Sequence, residues 1–239
     1  MEEELVSYPE AGSPQGPVVS PILANAYLHY VLDDWFHKDV LPRLQGHAFL
    51  IRYADDFVIA FTDEQDARRV MEVIPKRMSK YGLAIHPDKT RLVPFARPPR
   101  GRASRAARPG TYDFLGFTHF WGMSRQGNWV IKRRTASNRL VRAVASVSQW
   151  CRRNRHLPIA EQHKTLCQKL RGHFAYYGVT ANGPQLKSFR TAVLRVWYKW
   201  LARRKRKPYP NWAWFLRLLK RYPLPPATPV HSVCRAAKA

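Results

Sequence analysis

Two adjacent carboxylates, Asp55 and Asp56, lie between two short apolar runs and are the residues of this sequence best suited to chemistry. Like charges so close together repel, and a bound cation relieves the repulsion. Mg²⁺ prefers oxygen ligands, keeps several waters and also binds phosphate oxygens. Two such ions can activate a hydroxyl group and stabilise the leaving oxygen of an in-line displacement. A solvated turn without metal has the same sequence, so the pair alone leaves both interpretations open.

The residues around this pair predict an α+β arrangement that places the carboxylates at the tip of a hairpin. β-Prone runs flank the pair on both sides, as in two strands joined by a tight turn. Apolar spacing and turn residues define the neighbouring elements. The predicted elements are a buried helix at 18–36, strands at 49–53 and 57–61, an amphipathic helix at 63–81 that Gly82 ends, and strands at 83–85 and 90–95.

The rest of the chain is predicted to form a short β-hairpin followed by a helical bundle. Strands are expected at 112–121 and 129–132 around a turn at 124–128, and three or four helices follow from residue 136. Proline-rich residues after Pro223 predict an extended tail. Large aromatic side chains on the helical stripes are expected in the core: Trp150, Trp197, Trp200 and Phe215.

Charge is distributed unevenly along the 239 residues. The chain has 41 Lys and Arg against 16 Asp and Glu, a net charge of +25. Residues 1–95 have a net charge of −4, whereas residues 96–239 have 31 basic and two acidic side chains, a net charge of +29. Such a segment is typical of polyanion-binding proteins, and nucleic acid is the expected partner. Anionic lipid is the weaker alternative because the sequence lacks a long amphipathic helix with an exposed apolar face.

Composition also excludes several classes of protein. The three cysteines are far apart and form no CxxC pair, so we expect neither a zinc ribbon nor a disulfide scaffold, and a reducing compartment fits. No apolar run is long enough to span a bilayer, and the acidic start at residues 1–4 is unlike a signal peptide. We therefore expect a cytoplasmic protein without membrane contact.

Five motifs, in order, resemble those of bacterial group II intron-encoded reverse transcriptases, or maturases. The resemblance extends over nearly the whole chain and corresponds to the C-terminal part of the family's palm followed by its thumb or maturase region. The motifs are Gly12-Ser13-Pro14-Gln15-Gly16 with residues 20–25, Tyr53-Ala54-Asp55-Asp56, Gly82-Leu83 with residues 86–90, Leu115-Gly116-Phe117, and Arg171-Gly172-His173-Phe174-Ala175-Tyr176-Tyr177-Gly178.

The resemblance implies an RNA-directed DNA polymerase that uses Mg²⁺. Asp55 would bind the catalytic ion, Asp56 would ligate it less directly, and Lys89 would protonate the leaving pyrophosphate, unless it is simply a surface lysine. The other implied contacts are Tyr53 and Ala54 beside the primer end and the incoming nucleotide, Pro14, Gln15 and Gly16 in the template and nucleotide pocket, and Leu115, Gly116 and Phe117 as the primer grip. Gly116 as an ordinary strand glycine is the alternative for that motif.

Basic side chains of the second half are the expected RNA contacts. A run of five like charges at a helix end favours a polyanion, although a solvated helix end has the same composition. His173 has no Asp or Ser in register, so we expect it to pack against neighbouring helices together with Tyr177, which shares its helix face. The expected RNA-binding residues are Lys169, Arg171, Lys199, Arg203, Arg204, Lys205, Arg206 and Lys207.

The sequence departs from the family pattern in two places, and only the second departure is expected to limit activity. Pro17 stands where many relatives have glycine. The family also uses an aspartate on a strand upstream of the Pro-Gln-Gly motif, and the 13 residues before Pro14 contain none. Because a two-metal site without that ligand should bind Mg²⁺ weakly, we expect the 239-residue polypeptide alone not to polymerise.

The resemblance finally predicts domains and partners. The expected domains are a palm part at 1–122, a connecting hairpin or linker at 123–135, thumb or maturase helices at 136–222 and an extended tail at 223–239. The expected partners are intron RNA, an RNA template with a DNA primer, and an N-terminal fragment in trans or a second copy that covers the open palm sheet, in a bacterial cytoplasmic ribonucleoprotein. A non-enzymatic RNA-binding splicing cofactor and an inactive truncated remnant are the alternatives.

Overall fold

A computed structural model describes residues 19–99, 109–204 and 211–231, and the chain divides into two units, Met1–Val93 and Pro94–Ala239. This division differs from the boundary predicted after residue 122. A three-stranded antiparallel sheet occupies much of residues 112–135 within the second unit. The predicted connecting hairpin or linker at 123–135 contains the last strand of this sheet, Trp129–Thr135, whose backbone pairs with the strand before it.

The first unit begins with a helix that is buried only in its second half. Helix α1 (Ser20–Leu28) continues as π-helical turns at His29–Asp34 and Phe36–Val40 and a 3₁₀ turn at Leu41–Arg43. The predicted helix is present, but its predicted burial is wrong for α1, where Ile22 is 67% exposed. Its continuation instead supplies the core side chains, which are Val31, Leu32, Trp35, Phe36 and Val40.

The predicted hairpin and amphipathic helix are confirmed. Strands β1 (Ala48–Tyr53) and β2 (Asp56–Phe61) pair antiparallel, and helix α2 (Glu64–Lys80) follows. Gly82 has a φ of +67°, the left-handed conformation that favours glycine after a helix. The buried stripe of α2 packs against the π-helical turns and one face of the hairpin through Val70, Ile74 and Met78.

The two strands predicted after α2 are absent. Residues 83–85 and 90–95 form no ladder, and a 3₁₀ turn at Pro87–Lys89 lies between them. Leu83 and Ile85 pack against the core as a loop. The prediction failed because β-prone side chains measure fit to a half-buried surface and do not by themselves provide a pairing edge. Among the described residues, the sheet of this unit has two strands.

The sheet of the second unit consists of β3 (Tyr112–Phe114), β4 (Phe117–Met123) and β5 (Trp129–Thr135), in that order. The single strand predicted at 112–121 is thus broken into two by a turn at residues 115–116. The predicted turn at 124–128 is confirmed: the Ser124 N–H donates to the Asn128 carbonyl at 2.7 Å.

Four helices complete the described part of the second unit and confirm the α+β class and the helical bundle. They are α3 (Ser137–Arg153), α4 (Ile159–Tyr177), α5 (Gly183–Ala202) and α6 (Trp212–Arg221). The large aromatic side chains are in this core as predicted: Trp197, Trp200 and Phe215 are buried and Trp150 packs against them. Within the described ranges no helix has the length and apolar character needed to cross a membrane.

Residues 222–231, the described part of the segment after α6, contain no helix or strand, as predicted, but they are packed. Leu224 is buried in the bundle core. Arg190 of α5 donates from Nε to the Pro225 carbonyl at 2.9 Å. The backbone of His231 forms an isolated parallel bridge with Val179. The tail therefore adds to the core of the second unit, which is called the helical unit below although it also contains the three-stranded sheet. Proline content alone did not predict this packing.

Candidate active site and nucleic-acid surface

The acidic turn lies at the tip of the β1–β2 hairpin, as the sequence predicts. Tyr53 and Asp56 are the last paired residues, so Ala54 and Asp55 form the two-residue loop. Ala54 has a φ of +53°, which costs a non-glycine residue about 1 kcal/mol. Strain of this kind clusters at functional sites, where surrounding contacts hold it in place.

Both carboxylates are available to a cation. Asp55 and Asp56 are exposed, and neither forms an ion pair with the described residues. Two hard oxygen donors in solvent fit Mg²⁺, which keeps waters and binds substrate phosphates beside one or two protein carboxylates. In the described ranges, no group of three or more His, Cys, Asp or Glu side chains is arranged to hold a metal ion. The two carboxylates could supply part of the ligand set of such an ion, with waters and phosphate oxygens as its remaining ligands.

The face of the hairpin that carries Tyr53 is open to solvent. Side chains alternate between the two faces of a strand. In β1, Leu50 and Arg52 face inward, whereas Phe49, Ile51 and Tyr53 are 69%, 57% and 67% exposed. Asp56 pairs directly with Tyr53 in the ladder. A ligand beside the carboxylates therefore meets an aromatic ring on an uncovered face.

Arg52 holds the acidic turn in place, and the sequence patterns did not identify it. Its Nε and Nη2 donate to the two carboxylate oxygens of Asp33 at 2.8 and 2.6 Å. Its Nη1 donates to the Ala54 carbonyl and to Oδ1 of Asn25, each at 2.9 Å. The Arg52 guanidinium holds the pKa of Asp33 below its ordinary value. An arginine at an inward position of an apolar strand was the signal that could have identified this contact.

Replacing Arg52 with glutamine is expected to destabilise the first unit by about 2 kcal/mol. Asp33 would keep a largely covered charge without its partner, and the Ala54 carbonyl would lose a donor. Arg52→Lys keeps the charge but not the planar fork, so it should lose an intermediate amount. Thermal melts followed by circular dichroism measure the change.

Arg68→Gln is the matched control for that experiment. The Arg68 pair with Glu64 is exposed on one helix face, and pairs of that kind contribute little. It should change the free energy of unfolding by less than about 0.5 kcal/mol. Equal losses of unfolding free energy in the Arg52 and Arg68 variants would show that the contacts of Arg52 to Asp33 and Ala54 stabilise the unit no more than an exposed ion pair does.

The remaining predicted active-site residues are Lys89 and the loop at residues 14–16. Lys89 ends the 3₁₀ turn and is exposed. Its backbone N–H donates to the His86 carbonyl at 3.2 Å, and its role as a proton donor stays a prediction. Pro14, Gln15 and Gly16 lie outside the described residues.

The predicted primer-grip motif forms a tight turn that packs against two tyrosines of α4. Leu115 and Gly116 have φ angles of +49° and +77°. Tyr176 donates from Oη to the Leu115 carbonyl at 3.0 Å, and the Ala136 N–H donates to the Gly116 carbonyl at 3.0 Å. A Cβ on Gly116 would lie 2.8 Å from Oη of Tyr177. The glycine is thus needed for the turn itself, whether or not a primer approaches it.

The maturase-like motif on α4 packs as predicted. The His173 ring stacks on Phe189 with centroids 3.9 Å apart, and the ring of Phe117 contacts both Tyr176 and Tyr177. Burial lowers the pKa of His173 to about 4. The imidazole is therefore neutral at physiological pH and contributes no charge to nucleic-acid binding.

The predicted RNA contacts of the helical unit lie on α4 and at the end of α5. Arg171 is exposed, whereas Lys169 is half-buried. Lys199 and Arg203 lie over the Trp200 ring, 5.7 and 4.9 Å from its centroid. Arg204 is exposed and also donates to the Leu157 carbonyl. The other members of the run, Lys205, Arg206 and Lys207, lie outside the described residues.

A comparison of the sequence with models of known protein families identifies the family that residues 2–119 match. Residues 2–119 match the model of the reverse transcriptase, or RNA-dependent DNA polymerase, family. This segment is a reverse transcriptase domain. The match contains Asp55, Asp56, Lys89 and the turn at 115–116, and it ends before α3. The comparison with curated proteins gave no match.

The reverse transcriptase domain gives the acidic turn its chemical context. Members of this family bind a nucleic-acid template and primer and generally use divalent metal ions. An exposed carboxylate pair at a hairpin tip suits that chemistry, since the ions must contact both protein and phosphate oxygens. The predicted resemblance to reverse transcriptases is therefore confirmed for residues 2–119.

Proposed function

We propose that this chain is the C-terminal part of a group II intron-type reverse transcriptase, in which Asp55 and Asp56 hold Mg²⁺ for nucleotidyl transfer. The observation that supports the proposal is the exposed carboxylate pair at the β1–β2 tip, which forms no ion pair with the described residues and lies within the segment that matches the reverse transcriptase family. Bound Mg²⁺ supplies charge neutralisation for the attacking primer hydroxyl and the leaving pyrophosphate.

The protein's own residues would then position the substrates. Asp55 presents its oxygens from the loop, and Asp56 presents its oxygens from the first residue of β2. Tyr53 offers an exposed ring beside them, and Lys89 is a solvent-accessible proton donor for pyrophosphate. Intron RNA would bind the cationic helical unit, in a bacterial cytoplasmic ribonucleoprotein.

Primer extension on an RNA template tests the proposal. One arm contains the 239-residue chain alone, and the other adds a separately produced upstream half of a related reverse transcriptase palm. Extension only in the second arm supports a site shared between the two segments. Extension by the chain alone also supports polymerase chemistry but contradicts the need for a further aspartate. Absence of extension in both arms overturns the polymerase proposal.

A second function, RNA binding without catalysis, is favoured by one further observation. All ion pairs among the described residues lie in the first unit, so the cations of the helical unit have no carboxylate partners there. Tight, salt-sensitive RNA binding without primer extension would identify a splicing cofactor of this kind.

A further inference from the structure

Two basic segments that are far apart in the sequence meet at one end of the helical unit. The first ends α3 and enters the loop to α4, with Arg152, Arg153 and Arg155. The second ends α5, with Arg203 and Arg204. Two contacts join these ends. Arg204 donates to the carbonyl of Leu157, and Nε1 of Trp200 donates to Oγ of Ser148 at 3.2 Å.

A buried amide fixes the loop from which the first segment projects. Gln162 is 1% exposed, and its Nε2 lies 2.9 Å from the Leu157 carbonyl and 3.2 Å from the Arg155 carbonyl. Its Oε1 accepts from Nε1 of Trp197 at 3.0 Å. Both the nitrogen and the oxygen of this buried amide are hydrogen-bonded. The amide therefore anchors the loop to the core, and the arginines project from a fixed backbone.

The charge at this end has no carboxylate partner within the described residues. All five arginines are exposed, and none is paired there with a carboxylate. The one acidic residue in the loop or the first turn of α4 is Glu161, which is exposed. The C-terminal dipoles of α3 and α5 attract cations, but that effect is confined to the last turn and amounts to about 0.3–1 kcal/mol for each exposed charge.

We propose that this arginine end, defined as Arg152, Arg153, Arg155, Arg203 and Arg204, binds the phosphate backbone of structured RNA. Guanidinium groups on a fixed surface contact phosphates without reading sequence. A lipid surface is disfavoured because none of the exposed large apolar side chains lies in residues 150–160 or 199–204. This proposal rests on RNA as the proposed partner. Within the arginine end, the sequence predicted Arg203 and Arg204 as RNA contacts, whereas the three arginines at the end of α3 and in its loop were not predicted.

The test compares two triple variants of equal charge. Arg152→Gln, Arg153→Gln and Arg155→Gln together remove one segment of the arginine end. The control triple changes three exposed cations elsewhere in the same unit, namely Arg125→Gln, Arg139→Gln and Lys187→Gln. Nitrocellulose filter binding of a folded transfer RNA, used as a generic structured RNA, is measured across a KCl series.

We expect the first triple to bind RNA on the order of 100-fold more weakly near 0.1 M KCl. The negative slope of the logarithm of the binding constant against the logarithm of the KCl concentration should become shallower by about 2 to 3. The control triple should lose less than about fivefold. Equal losses in the two triples would overturn the inference, because only net charge would matter. Failure of the unchanged chain to bind RNA would instead overturn the RNA partner itself, so the two failures are distinguishable.

Two further arms keep the result interpretable. Arg→Lys at the same three positions keeps the charge and should retain most of the binding, and circular dichroism melts confirm that each variant folds. Vesicles containing phosphatidylserine should compete poorly with the RNA. Competition as strong as that of unlabelled RNA would overturn the assignment of this end to RNA.

Discussion

An Asp55→Asn variant is expected to lose at least about 1,000-fold in primer extension under the conditions that support extension by the unchanged chain. Stabilisation of transition-state charge by a bound metal is worth several kcal/mol, and each 1.4 kcal/mol is a tenfold change in rate. Asparagine keeps the shape of the side chain and removes the charge that attracts Mg²⁺. Since Asp55 is exposed, the substitution should leave the thermal melt unchanged.

Two comparisons make this prediction specific. Asp56→Asn should cost less, since that residue is expected to ligate the ion less directly. Asp39→Asn changes an exposed carboxylate of the same unit outside the motifs and should leave extension within about twofold. Similar losses for the Asp55 and Asp39 variants would contradict a metal-binding role for the acidic turn. A Mg²⁺ titration should show that extra metal does not restore the Asp55 variant.

A Gly116→Ala variant is expected to destabilise the helical unit by about 3 kcal/mol. A left-handed backbone costs alanine about 1 kcal/mol, and forcing a methyl group against Oη of Tyr177 adds about 1 to 3 kcal/mol. Urea unfolding followed by tryptophan fluorescence measures the loss, because seven of the eight tryptophans lie after residue 96.

Gly127→Ala separates the two causes of that loss. Gly127 has the same φ of +77°, but a Cβ there meets nothing within 4 Å. The control should therefore lose only the backbone cost, about 1 kcal/mol. Placing Gly116→Ala in a Tyr177→Phe background removes the hydroxyl and should recover part of the difference. Equal losses at Gly116 and Gly127 would show that Tyr177 does not restrict the turn.

The acidic hairpin and the core stripes of the helices could be predicted from the sequence. Local physics decides these features: two β-prone runs around Asp55 and Asp56 have a short turn between them, and apolar residues at helical spacing must face one side. The stripe containing Trp197 was identifiable for that reason. The same argument predicted that Gly82 ends α2, because the left-handed conformation after a helix favours glycine.

Which surfaces are covered was decided by the tertiary structure. Ile22 on α1 is as apolar as Val31 in its π-helical continuation, yet Ile22 is 67% exposed whereas Val31 is buried in the core of the first unit. Residues 90–95 are β-prone but do not join a sheet. Burial and strand pairing require a second surface from elsewhere in the chain, so local sequence cannot specify them.

The contacts that position the candidate sites also depend on the tertiary structure. Arg52 reaches Asp33 and the turn of Asp55 through the packing of a strand on a π-helical segment. Arg155 and Arg204 share one end of the bundle because α3 and α5 pack together. The sequence by itself determined the chemical groups and their local elements. The fold determined their neighbours, because distances between residues far apart in the chain are set only by packing.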